Sequence, residues 1–118
     1  MAYTDCIVLA VHKDKLADYK KMSRKAAKVW MKHGALTYTD CIGDDVKPGK
    51  VTSFPQAVHL KDGELVVITI VTYNSRKVRD AANKKVFADP AMKAFNPQTM
   101  PFDPSRMFWG GFKPFLSL

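Results

Sequence analysis

An α+β fold built on one four-stranded antiparallel sheet is predicted by three features of this sequence. Residues 6–11 and 65–71 are apolar at nearly every position. Side chains alternate faces along a strand, so such runs need cover on both sides and belong in the middle of a sheet. Two other stretches, at 14–33 and 76–88, carry apolar residues three and four apart, which is the period of a helix with one buried stripe. The third feature is the order of the elements: strand, helix, strand, strand, helix, strand. That is the ferredoxin-like βαββαβ pattern.

Each element has its own local signals. The first strand spans 3–11. Asp14 is placed to cap the first helix, since its carboxylate can accept from a free amide of the first turn. Asp18 adds negative charge near the same, positive end. Leu16, Tyr19, Met22, Ala26, Val29, Trp30 and His33 form the buried stripe, and Gly34 ends the helix in a left-handed conformation. Residues 35–43 alternate with many polar side chains, as an edge strand does. A loop follows at 44–50, and 51–54 extend briefly before Pro55. Asp62-Gly63 marks a tight turn into the third strand, 64–73. Asn74 or Ser75 caps the second helix, which Asp89-Pro90 interrupts before a short turn through Phe95. Residues 96–104 are irregular. The last strand spans 106–118, and its Gly110-Gly111 pair marks a bulge or a close backbone approach.

In this pattern the first and third strands are central and the second and fourth are edges. Both helices cross the same face, which leaves the other face bare. A second copy of the chain is the simplest cover for it, so self-association as a homodimer through the sheet face is expected.

At 118 residues the chain is expected to form one domain over 1–118. It has no apolar run near the roughly 20 residues that cross a bilayer. It also lacks the basic-then-apolar start of a signal peptide, so no membrane role and a cytosolic location are expected. Cys6 and Cys41 fall in different strands without Cys-x-x-Cys spacing and read as reduced thiols. The net charge is +8, from 19 Lys and Arg against 11 Asp and Glu. Such an excess attracts nucleic acid or acidic ligands, or simply maintains solubility.

The sequence has no phosphate-binding glycine loop, no HExxH helix and no nucleophile elbow, so no cofactor and no metal are expected. Four looser constellations remain. Trp30, His33, Tyr38 and Asp40 either line a small-molecule pocket, with His33 moving a proton and Asp40 orienting it, or are core and helix-end residues. Asp103, Arg106 and Trp109 either bind an anionic or enolate-like oxygen beside a stacking wall, or Asp103 and Arg106 pair to hold the 100–105 loop. Asp44-Asp45 with Ser53-Phe54-Pro55 is either a cation loop or a set of turn caps. The lysines of the first helix form either an RNA-binding ridge or a solvated face.

Several segments together resemble a known family over essentially the whole chain. They include Lys13-Asp14-Lys15-Leu16, His33-Gly34-Ala35-Leu36, Gly49-Lys50-Val51-Thr52-Ser53-Phe54-Pro55, Met100-Pro101-Phe102-Asp103 and Gly110-Gly111-Phe112. The combination resembles the DUF1428 family of small bacterial proteins. The chain departs from the usual family pattern at Cys6, where glycine is common, and at His12, where proline is common. The resemblance implies a dimeric α+β barrel, in which two ferredoxin-like subunits pack sheet to sheet. It brings no established activity.

The leading functional expectation is a small-molecule enzyme or binder with a pocket between helices and sheet. His33, Asp40 and Arg106 are its expected proton-transfer or oxyanion groups. Trp30, Tyr38, Asp103 and Trp109 are expected to contact the ligand. The alternatives are an RNA or acidic-partner module using the lysine ridge, and a non-catalytic structural or regulatory dimer.

Overall fold

A computed structural model describes residues 2–118. The strands are β1 (Tyr3–His12), β2 (Thr37–Ile42), β3 (Glu64–Tyr73) and β4 (Phe108–Phe112). The helices are α1 (Leu16–Lys32), α2 (Phe54–Ala57), α3 (Arg76–Ala88) and α4 (Pro90–Lys93). The sheet is antiparallel throughout, in the order β2-β3-β1-β4. The two doubly apolar runs therefore are the central strands. Val11, Val67, Val71 and Tyr73, all on these two strands, are almost fully buried. None of the described helices is long and apolar enough to cross a membrane.

Local chemistry explains where the elements begin and end. The Asp14 cap is corrected: the His12 ring reaches the turn first, and its Nδ1 accepts from the Asp14 amide at 3.1 Å. A short 3-10 turn, Lys13–Lys15, follows, and α1 begins at Leu16 with no side-chain cap. Gly34 takes a positive φ of 122°, a conformation in which a Cβ is strained. Ser75 caps α3 by accepting from the Val78 amide at 3.1 Å.

Residues 51–54 join no strand: Ser53 is extended, but α2 already begins at Phe54. Ser53 caps α2, where Pro55 occupies a first-turn position that needs no amide proton. β4 is shorter than 106–118 because Pro104–Arg106 forms a 3-10 turn and pairing with β1 ends at Phe112. The close approach expected of the glycine pair is real at Gly111. A Cβ there would lie 2.2 Å from Arg79 Nη2 and 2.4 Å from the Tyr3 hydroxyl.

The face opposite the long helices is only half bare. The α2 segment crosses under it, and fully buried Val58, together with Leu60, packs on Val8, Ala10 and Val66. Beyond that cover, Ile70, Phe108 and Phe112 remain 37%, 44% and 54% exposed.

Candidate functional site

α1, α3 and the segment after α3 stand off the sheet far enough to leave a cavity of about 230 Å³. Its floor is the helix-side row of the sheet: Asp5, Ile7 and Leu9 from β1, Thr69 and Val71 from β3, Tyr38 from β2 and Trp109 from β4. These residues share one face because they lie in register across the antiparallel ladders. Tyr19, Met22, Ala26 and Trp30 descend from α1, and Asn83 and Phe87 come from α3. Met22, Met92, Met100 and Met107 complete a wall rich in adaptable thioethers. Trp30 lies 5.9 Å from Tyr38 and meets Phe87 edge-on at 6.1 Å.

Polar groups are few and placed. The Trp30 indole N–H and the Tyr73 hydroxyl both donate to Asn83 Oδ1, at 3.3 and 3.4 Å. An indole nitrogen can only donate, so the amide oxygen must face it. The Asn83 NH₂ is then the free end, and among the described residues nothing accepts from it.

Asp40 sits just behind the cavity. It accepts from the Tyr19 hydroxyl at 3.3 and 3.4 Å, and from the hydroxyls of Ser23 and Thr69. Burial first, and then the Asp40 charge, pushes the Tyr19 and Tyr38 phenols above the ordinary tyrosine range. Both stay protonated at neutral pH.

Trp30, Tyr38 and Trp109 thus line one cavity, and Asp40 touches it through Tyr19 and Thr69. His33 and Arg106 do not join them. His33 Nε2 lies 2.7 Å from the Asp89 carboxylate, which also accepts from the Ala91 amide at the start of α4. Arg106 forks onto Glu64 at 2.7 and 2.8 Å. It also donates to Asp103, at 3.1 Å, and to the carbonyls of Val58 and His59. Asp103 in turn accepts from the Ser105 amide and hydroxyl, so the structural alternative describes this pair. His33, Arg106 and Asp103 thus have protein partners outside the cavity lining.

Asp45 pairs with Lys47 at the surface, and Ser53 serves as a cap. No group of three metal-ligating side chains occurs among the described residues. Tyr19, Thr69 and Asn83 are not among the site residues expected from the sequence, which places Tyr19 only in the buried stripe. Ser23, one turn after Tyr19, and Thr69, opposite Asp40 in the ladder, were signals that only register makes legible.

The His33 contact holds the Asp89 carboxyl at about 2, against an ordinary 3.8. A depressed carboxyl adds stability that is fully present above the unfolded value and is lost as pH falls through the folded one. Acid unfolding is therefore expected to steepen between about pH 4 and pH 2. Asp89→Asn, which still caps α4, should flatten that limb when stability is followed by circular dichroism. An identical acid limb in the variant would contradict the assignment.

Comparison with known proteins agrees with this architecture. Residues 2–104 match the family described as "Protein of unknown function (DUF1428)". The chain is 46% identical over 113 residues to the uncharacterized protein YbaA of Escherichia coli, covering 96% of each. Three solved structures share the fold at low identity. An uncharacterized NIPSNAP domain protein from Burkholderia xenovorans has a TM-score of 0.62 at 14% identity, covering 98% of both chains. A mutant of SnoaB, a cofactor-independent oxygenase from Streptomyces nogalater, has a TM-score of 0.54 at 16% identity, covering 99% of this chain and 96% of that one. A dimeric ferredoxin-like protein from an uncultured marine organism has a TM-score of 0.54 at 12% identity, with full coverage of both. With the family model spanning most of its length and YbaA nearly half identical throughout, the chain belongs to the DUF1428 family.

Proposed function

We propose that the protein binds a planar, largely apolar small molecule in the helix–sheet cavity and transfers a proton to or from it. The cavity's size and lining carry this reading. A dry apolar cavity of about 150 Å³ holds benzene, so about 230 Å³ favours a bicyclic ring. Trp30, Tyr38 and Trp109 supply aromatic walls, and the Asn83 NH₂ offers a donor to a carbonyl or an oxyanion. Asp40 is the base. A ligand proton passes to the Thr69 or Tyr19 hydroxyl oxygen while that hydroxyl's own proton passes to Asp40. His33, Asp103 and Arg106 serve the fold. One of the fold neighbours is a cofactor-independent oxygenase, an analogy of fold alone.

1-Tetralone, a bicyclic ketone with exchangeable protons beside its carbonyl, tests both halves. It is expected to quench tryptophan fluorescence saturably and about tenfold more tightly than tetralin, which lacks the carbonyl. Asn83→Leu should abolish that difference. In D₂O the protein should speed deuteration beside the carbonyl by about 100-fold, and Asp40→Asn should remove the gain without removing binding. No saturable quenching by either compound would sink the reading. Exchange unaffected by Asp40→Asn would sink the chemistry.

The half-bare sheet face favours a homodimer as the assembly that carries this cavity. Exposed Ile70, Phe108 and Phe112 form an apolar face. Ile70→Lys is expected to leave a monomer at micromolar concentration by sedimentation, where the parent chain is a dimer. A monomeric parent chain would refute it. The unpaired Cys6 and Cys41 fit a reducing cytosol. The RNA reading loses ground because exposed Phe108 and Phe112 sit across the sheet from α1 and its lysines, and Trp109, on the α1 side, lines the cavity.

A further inference from the structure

The lysine-rich face of α1 is not uniform. Lys21 and Lys25, one turn apart, line a second groove of about 250 Å³. That groove shares Met22, Phe95 and Met100 with the helix–sheet cavity, so the two spaces adjoin at these three side chains. Two of the three are methionines, which repack readily. Neither lysine has an acidic partner within 4.0 Å among the described residues. Asp18 also lines the groove, leaving a formal charge of +1 there, from two lysines against one carboxylate.

We infer that the ligand carries an anionic group on a short tether. Its apolar body occupies the cavity, and its anion rests in the groove between Lys21 and Lys25. This rests on the cavity reading and adds the charge of the ligand to it. A carboxylate, sulfonate or phosphate would meet the same requirement, since each gives two ammonium groups an oxygen to share. The walls of the cavity cannot supply this preference, because they carry no cationic side chain: their polar groups are the Asn83 amide, the Trp indoles, a few hydroxyls and the Asp5 carboxylate.

The test compares 1-naphthylacetate with its neutral isostere 1-naphthylacetamide by titration calorimetry. The acetate is expected to bind about fivefold more tightly at low salt. That advantage should shrink as salt rises to about 0.5 M. Changing both lysines, Lys21→Gln with Lys25→Gln, should bring the two affinities together by weakening the acetate alone. Asp18→Asn should widen the gap. Equal affinities in the parent chain, or a preference that survives the double change, would overturn the inference while leaving the cavity reading intact. Binding of neither compound would overturn both.

Discussion

Replacing Arg106 with alanine is expected to lower the stability of the protein by about 3 kcal/mol or more, read as a shift in the urea midpoint. Its guanidinium and the Glu64 carboxylate are each about nine-tenths buried. They form a two-point fork, and the hydrogen bond from Arg106 holds the Glu64 carboxyl below its usual range. The same guanidinium also reaches Asp103 and two carbonyls of the segment after α2. Alanine would leave Glu64 charged and without its partner, and would release the strap that covers half of the open face. Glu64→Met together with Arg106→Met should recover much of the loss, because two apolar side chains leave no uncompensated charge. Ligand affinity of the folded fraction should be unchanged, which separates a fold clamp from a catalytic arginine. A loss under about 1 kcal/mol would mean that the fork is effectively solvated.

Arg79→Met is expected to have an effect of similar size by a different route. Arg79 Nε donates to both oxygens of buried Asp5, at 3.0 and 3.1 Å, and Nη1 reaches Asp80 at 2.7 Å. The guanidinium lies 4.9 Å from the Tyr3 ring centre and 5.9 Å from that of Trp109. Without it, Asp5 is an unpaired carboxylate at the floor of the cavity, costing about 3 kcal/mol and disfavouring anionic ligands. Gly111→Ala probes the same cluster from the backbone. Its new Cβ would collide with Arg79 and Tyr3, both held in place, for a cost of about 1 to 3 kcal/mol. That cost should fall in the Arg79→Met background, since one of the two obstacles is then gone. Full additivity of the two changes would count against this packing.

The fold was legible because its signals are local. The runs at 6–11 and 65–71 reveal central strands by themselves, and Ser75 and Asp89-Pro90 bracket α3 with no help from the rest of the chain. The boundaries that were missed turned on a neighbour's side chain. The His12 ring displaced Asp14 at the start of the first helical turn, and Ser53 with Pro55 starts α2 at Phe54, where the extension was expected to continue.

The candidate site was legible only in part. Trp30, Tyr38 and Trp109 are large, amphipathic and on the correct faces, and they line the cavity. The ionisable groups were harder. His33, Asp40 and Arg106 are all chemically able to form a site. The fold gives His33 a partner 56 residues away and Arg106 one 42 residues away, while Asp40 is held by three hydroxyls from α1 and β3.

The sequence by itself determined the order of the elements, the two central strands and the family of this protein, because hydrophobic period, capping and turn chemistry act over a few residues. Only the tertiary structure decided which charges were consumed by the fold and which donors were left facing a cavity. A charged side chain pairs with whatever ladder register and helix crossing bring within about 3 Å. That distance is set by the whole chain at once.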